Sequence, residues 1–207
     1  MAIKVVVFDL GGVLFDWHPD YYYQSIIPDE AERQHFLSQI CNGAWRLKQD
    51  AGQPLSEGTE ELVAAHPAYE QLIRQFYPHW HLMLKGTLPE GMQIFETLQQ
   101  NQVPVFSLTN WAAETWPYAI ANYPFLQGFK EIVVSGIEGM VKPDFALYER
   151  MQSQMEKHYP DLKREEVFFI DDTEVNIHAA KAFGWDAIHH TSAEKTVAYM
   201  KSIGLLG

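Results

Sequence analysis

Four stretches of the chain hold the residues whose types and spacing can do chemistry. The first is Lys4-Val5-Val6-Val7-Phe8-Asp9-Leu10-Gly11-Gly12, an apolar run that ends in a carboxylate and two glycines. A carboxylate in that place can attack an electrophile, bind a cation or simply cap the turn that follows. Gly11 and Gly12 let backbone amides come close to whatever it engages. The second is Ser107-Leu108-Thr109-Asn110, where a hydroxyl and an amide can donate to phosphate oxygens, although Thr-Asn is also ordinary turn chemistry. The third is Lys142-Pro143, behind Gly136 and Gly139; a lysine ahead of a helix can face an anion or stand in solvent. The fourth is Phe168-Phe169-Ile170-Asp171-Asp172-Thr173, with Asn176 just beyond. Adjacent aspartates at the end of an apolar strand are costly without a cation or donors to compensate them. Hard oxygen ligands of this kind suit Mg²⁺. One of the two can instead cap the helix that begins near Thr173.

Each stretch sits at or just after the end of a short apolar segment, which reads as a strand buried on both faces of a parallel sheet. The strand expectations are 3–8, 103–109, 132–135, 167–170 and 187–190. Helical spacing occupies the gaps: Met92, Phe95 and Leu98 in 90–100, Leu147, Met151 and Met155 in 146–158, and an alanine-rich 174–183 that ends at Gly184. Strands alternating with helices give βαβ units and an α/β fold. Carboxylates at the C-terminal ends of such strands lie where open α/β sheets bind their ligands. Residues 16–86 break the rhythm. No strand is expected there; helices open near Pro28-Asp29, Ser56 and Pro67, the last kinked or broken by Pro78. The expected organisation is a Rossmann-like core of 1–15 and 87–207 with a helical insert at 16–86, hinged near Asp16 and at Gly86-Thr87-Leu88-Pro89.

A net charge of −12 over 207 residues argues against nucleic acid or an anionic membrane as the main partner. An anionic small molecule would need local positive charge that the whole chain does not supply. The single cysteine, Cys41, excludes an internal disulfide and fits a reducing compartment. No apolar run is long enough to span a bilayer and no leader pattern precedes the first strand. The expectation is therefore a cytoplasmic protein, with its oligomeric state open.

Asp9, Thr109, Lys142 and Asp171-Asp172 stand in the order and spacing of the four motifs of the haloacid dehalogenase-like hydrolase superfamily, and the chain resembles that superfamily over nearly its full length. The matching segments are FDLGGVLFD at 8–16, FSLTN at 106–110, GMVKPDFALY at 139–148 and FFIDDTEVNIHAAKAFG at 168–184. The insert at 16–86 resembles the family's C1 cap. Within the family the chain looks most like small bacterial sugar-phosphate phosphatases such as glucose-1-phosphate phosphatase. The resemblance implies a Mg²⁺-dependent phosphatase of a small phosphorylated metabolite, with a sugar phosphate as the expected substrate. It makes Asp9 the nucleophile that forms an aspartyl-phosphate. It assigns the metal to Asp9, the Gly11 carbonyl and Asp172, with direct or indirect support from Asp171. Gly11, Gly12, Thr109, Asn110 and Lys142 would bind the phosphoryl group, Lys142 also neutralising the nucleophile.

One departure from the family pattern matters. Most phosphatases of the superfamily carry a second aspartate two residues after the nucleophile, as acid toward the leaving oxygen and base toward water; here that position is Gly11. Loss of a positioned acid is worth roughly 10²–10⁴-fold in rate. Asp16 and His18 are the nearby groups that can replace it, or they belong to the hinge. Two alternatives stay open: a 2-haloacid dehalogenase, whose halide leaves without a proton, and a non-catalytic regulator. The acidic pair at Asp171-Asp172 favours phosphoryl transfer over dehalogenation, because it would repel a carboxylate substrate. His79, His81, His189 and His190 lack the Cys/His spacing of a zinc site. Trp17, Tyr21, Tyr22, Tyr23, Trp45-Arg46, Trp111 and Trp116 read first as packing and second as cleft walls.

Overall fold

The computed structural model describes residues 2–206. Among the described residues seven strands run in chain order: β1 Val5–Phe8, β2 Phe15–Trp17, β3 Leu84–Thr87, β4 Val105–Thr109, β5 Ile132–Val134, β6 Val167–Asp171 and β7 Asp186–His189. Five of them form a parallel sheet in the order β5-β4-β1-β6-β7. β1 is central, and its four side chains are fully buried. Alternation divides them between the faces. Val6 and Phe8 join Phe95, Leu98 and Phe129 on one side, and Val5 and Val7 join Leu147, Met151 and Met155 on the other. Helix Pro89–Gln100 therefore covers the first face and helix Phe145–His158 the second. Helix Glu174–Phe183 ends at Gly184, whose φ of 105° supplies the left-handed cap that a side chain would disfavour.

The parallel registers set β1, β4 and β6 side by side, with Phe8 opposite both Ser107 and Ile170. Asp9, Thr109 and Asp171 consequently emerge together at one edge of the sheet. The Asp9 N–H donates to the Ile170 carbonyl (2.8 Å), which fixes the nucleophile candidate's backbone to β6.

Residues 16–86 correct the sequence expectation in one respect. Strands are present at both ends of the segment: β2 and β3 pair antiparallel, Phe15 with Thr87 and Asp16 with Gly86, with an irregularity before Trp17. Each strand is too short and too mixed in composition to be seen alone, and its partner lies far away in sequence. The expected hinge is thus a two-stranded ribbon. Between its strands the chain is helical. Helix Glu30–His35, capped by the Asp29 carboxylate on Glu32 N–H, continues as a π-helical turn through Ile40. Helix Gly43–Asp50, capped by Asn42 on Trp45 N–H, and helix Leu55–Ala65 follow. The region near Pro78 is broken into short turns and a 3₁₀ helix, Trp80–Met83. Helix Gly43–Asp50, strands β2 and β3, helix Trp116–Asn122 and helix Ala193–Ser202 are elements that the sequence reading did not place.

The helical segment meets the sheet domain beyond β4. Ser135 Oγ donates to the Asp50 carbonyl (2.6 Å) and Leu55 N–H to the Glu114 carboxylate (2.7 Å). Trp80 lies 5.2 Å from Trp111, ring to ring. No helix of the described residues is long and apolar enough to cross a membrane.

Candidate active site

The Lys142 ammonium is the centre of the site. It is 2.9 Å from Asp9 Oδ1 and 2.6 Å from Asp171 Oδ2, with its side chain almost wholly buried. A cation is tolerated there only because two carboxylates meet it. Burial pulls its pKa down, but Asp171 and Asp9 more than offset this and the pKa rises. Burial pushes the Asp9 carboxyl up; Lys142 opposes that shift, and the charges of Asp171 and Asp172 add to it. Asp172 moves the same way, again by burial first and then by Asp171.

Asp171 and Asp172 differ in what they have left to offer. Asp171 accepts from Lys142, from Thr173 N–H (2.7 Å) and, through both oxygens, from the Asn176 amide at 3.1 Å. Its lone pairs are largely occupied. Asp172 accepts only a longer bond from Thr173 Oγ1 (3.2 Å) and lies against Gly12. A Cβ on Gly12 would stand 2.0 Å from Asp172 Oδ2, and Gly12 has a φ of +68°. Space and backbone both require glycine at that position.

Asp9, Asp171 and Asp172 can each offer an oxygen, all within 4.8 Å of one another. Three carboxylates face one ammonium, which leaves two negative charges. A divalent cation with a preference for oxygen fits this donor set, and Mg²⁺ is such an ion.

Thr109 closes β4 and is buried beside this cluster of strand ends. The Asn110 carboxamide bonds the backbone of Lys142. Its oxygen accepts from Lys142 N–H (2.8 Å) and its nitrogen donates to the Lys142 carbonyl (3.0 Å). The side chain that sequence reading set on phosphoryl oxygens therefore clamps the lysine's backbone. Asn176, noted in the sequence without a role, holds Asp171. The remaining candidates have other partners. Asp16 accepts from Tyr21 Oη (2.7 Å), and His18 is exposed and packs on Tyr21. His79 stacks on Tyr22, His189 meets the Asp172 carbonyl, and His190 meets Thr196 Oγ1. Tyr22 and Tyr23 are buried packing residues.

From Gly11 and Asn110 a cavity opens between the loop after β4 and the helical segment; Trp17, Arg46, Asp50, Trp80 and Trp111 are among its walls. A Cβ on Gly11 would meet nothing within 4 Å, and its φ is not left-handed. Asp50 was missed by sequence reading, since nothing local marks it. Burial pushes its carboxyl up to about 7, against the opposing pull of Arg46, the Ala112 N–H and Lys142.

A family model for haloacid dehalogenase-like hydrolases matches residues 3–184. The sesquiterpene phosphatase AstK of Aspergillus oryzae is 26% identical over 98% of this chain and 97% of its own length. Among solved structures, a HAD-like family hydrolase from Porphyromonas gingivalis superposes with a TM-score of 0.70 at 19% identity, covering 97% of this chain and 98% of that one. A HAD family enzyme from Bacteroides thetaiotaomicron, solved as a magnesium complex, gives 0.66 at 19% identity, with 91% and 93% covered. The family match spans most of the chain and includes Asp9, Thr109, Lys142, Asp171 and Asp172, so the chain belongs to the haloacid dehalogenase-like hydrolases.

Proposed function

We propose that the chain is a Mg²⁺-dependent phosphatase of small phosphate monoesters that works through an aspartyl-phosphate on Asp9. The observation that carries this reading is the Lys142 ammonium bridging Asp9 Oδ1 and Asp171 Oδ2 beside the Asp172 carboxylate. The sesquiterpene phosphatase relative and the magnesium-bound family structure support it.

Asp9 Oδ attacks phosphorus while the bond to the leaving oxygen breaks and that oxygen takes the electron pair. Lys142 holds Asp9 in its anionic form and balances charge on the phosphoryl oxygens. Thr109 hydroxyl and the amides of Gly11 and Gly12 orient the phosphoryl group. Water then attacks phosphorus, releasing inorganic phosphate and the Asp9 carboxylate. Asp9, the Gly11 carbonyl and Asp172 would hold Mg²⁺, with Asp171 supporting them through Lys142. When bound, the cation screens the repulsion between a carboxylate and a phosphate dianion. Residues 16–86 act as a cap over the core of 1–15 and 87–207, moving on the β2–β3 ribbon to exclude water. Dehalogenation is disfavoured, because Asp171 and Asp172 would face the substrate's carboxylate.

Phosphate release from a panel of monoesters, with Mg²⁺ and with EDTA, tests the proposal; 2-chloropropionate serves as the dehalogenase control. Activity should need Mg²⁺. Asp9→Asn, isosteric but without a nucleophile, should fall to background. Turnover by purified Asp9→Asn above a few per cent of wild type overturns the covalent mechanism.

A further inference from the structure

We infer that the organic part of the substrate is an apolar group, aryl or hydrocarbon, and not a sugar. The inference rests on the phosphatase reading and concerns the half of the ester that leaves. That half must lie in the cavity that starts at Gly11 and Asn110, since this is where the strand-end cluster opens toward the helical segment. The cavity is small, about 110 Å³, and partly open to solvent. That is below the roughly 300–1,000 Å³ common for small-molecule sites, so it takes one ring or a short chain unless the helical segment gives way.

Its walls are aromatic. Trp17, Phe76, Trp80 and Trp111 line it together with Ala112. The Trp17 and Trp111 indole N–H groups are unpaired, but both nitrogens are buried away from the open space, so an occupant reaches neither unless the walls shift. Most of the other polar groups around the cavity have a partner within the protein. The Arg46 guanidinium donates to the Cys41 carbonyl (2.6 Å) and lies over the Trp17 ring, 5.6 Å from its centre. Tyr77 Oη donates to Gln49 Oε1 (3.0 Å), and Thr115 Oγ1 donates to the Ala112 carbonyl (3.1 Å). Asn110 is committed to Lys142. Asp50 accepts from the Ala112 N–H and is set against Arg46. A sugar ring entering here would lose the water on its hydroxyls and find few free partners, which is unfavourable for every hydroxyl left unpaired. An aryl or hydrocarbon group would bury apolar surface on both sides of the contact and leave the existing hydrogen bonds intact. The raised pKa of Asp50 agrees with a cavity that holds little water.

The test must separate apolar character from leaving-group chemistry, so all its esters are primary alkyl monophosphates. Benzyl phosphate and citronellyl phosphate are compared with glucose 6-phosphate, using kcat/KM at saturating Mg²⁺. The apolar pair should exceed the sugar by at least tenfold. Equal or better turnover of glucose 6-phosphate overturns the inference while leaving the phosphatase reading intact. No phosphate release from any of these or from p-nitrophenyl phosphate overturns the phosphatase reading and the inference with it, whereas release that survives Asp9→Asn overturns the covalent mechanism alone. Trp80→Ser should raise KM for citronellyl phosphate about five- to tenfold, with Trp80→Phe restoring it. An unchanged KM in folded Trp80→Ser counts against the aromatic wall. If that variant does not fold, the comparison of the three esters on the wild-type chain decides alone.

Discussion

At the scale of single residues, Gly11 and Gly12 are neighbours with opposite constraints. Gly12 is glycine by necessity, because a Cβ would collide with Asp172 Oδ2 and the φ of +68° disfavours any side chain. Gly12→Ala should therefore displace Asp172 and raise the Mg²⁺ concentration needed for half-maximal activity by tenfold or more. Gly11 is free of both constraints. Gly11 offers no acid, and Asp16 and His18 are not among the cavity walls; if no other group supplies a proton, charge on the leaving oxygen develops unaided. The rate of the chemical step should then fall steeply as leaving-group pKa rises across a series of substituted aryl and alkyl phosphates. Gly11→Asp should fold, flatten that dependence and help most on alkyl esters. A flat dependence in the wild type would show that another group supplies the proton. Sequence made Asp9, Lys142, Asp171 and Asp172 legible because each follows a recognisable strand in a specific motif. It could not show that the Asn110 carboxamide turns onto Lys142, since that depends on how two loops far apart in the chain meet.

At the scale of elements, the loop after β4 and the loop after β5 are tied together by the two Asn110–Lys142 hydrogen bonds. Asn110→Ala removes both while leaving every charge in place. Misplacement of a reacting group by about 1 Å can cost on the order of 10²-fold, so kcat should fall by roughly 10–100-fold with a smaller change in Mg²⁺ requirement. A change below twofold would mean that packing alone positions the lysine. The helix Gly43–Asp50 makes a separate prediction. Its last residue places a carboxylate at the negative end of the helix dipole, in a site that already resists charge. Folded Asp50 holds its proton up to about 7, whereas an unfolded aspartate releases it near 3.9. The folded state binds more protons in that window, so this group's contribution to stability is greatest below pH 4 and is lost as pH rises toward 7. Asp50→Asn, whose amide oxygen can still accept from Ala112, should flatten the fall. Asp9 and Asp172 have slopes of the same sign, so the readout is wild type minus variant in EDTA, by thermal unfolding across pH 4–8. The five parallel strands were legible from their apolar runs, within a few residues at each end. The ribbon was not: Phe15–Trp17 and Leu84–Thr87 become strands only by pairing across the whole helical segment, and neither carries an alternation of its own.

At the scale of the whole molecule, a chain of net charge −12 sets three carboxylates around one lysine at the strand ends. Stability should therefore respond to a divalent cation in a site-specific way. A ligand that binds only the folded state adds RT ln(1 + [L]/Kd), about 2.7 kcal/mol at a hundredfold excess over Kd. For a chain of this size that corresponds to a rise in Tm of roughly 5–10 °C. NaCl at matched ionic strength should reproduce little of it, because screening of the surface charge does not fill the site. The two adjacent aspartates should separate cleanly in this measurement. Asp172→Ala removes a repelling carboxylate that has few donors, so the metal-free Tm should hold or rise while the Mg²⁺ increment disappears. Asp171→Ala leaves the buried Lys142 ammonium with one partner where it had two, and strands the Asn176 amide. Its metal-free Tm should drop by several degrees, since breaking a buried pair from one side is strongly destabilising. If both variants lower the metal-free Tm equally and both keep the Mg²⁺ increment, Asp172 is not a ligand and Asp171 is not the lysine's anchor. The opposite signs are expected because the strand end fixes Asp171 inside the sheet's polar cluster, and the next residue along, one step past β6, reaches the open side where a cation can enter.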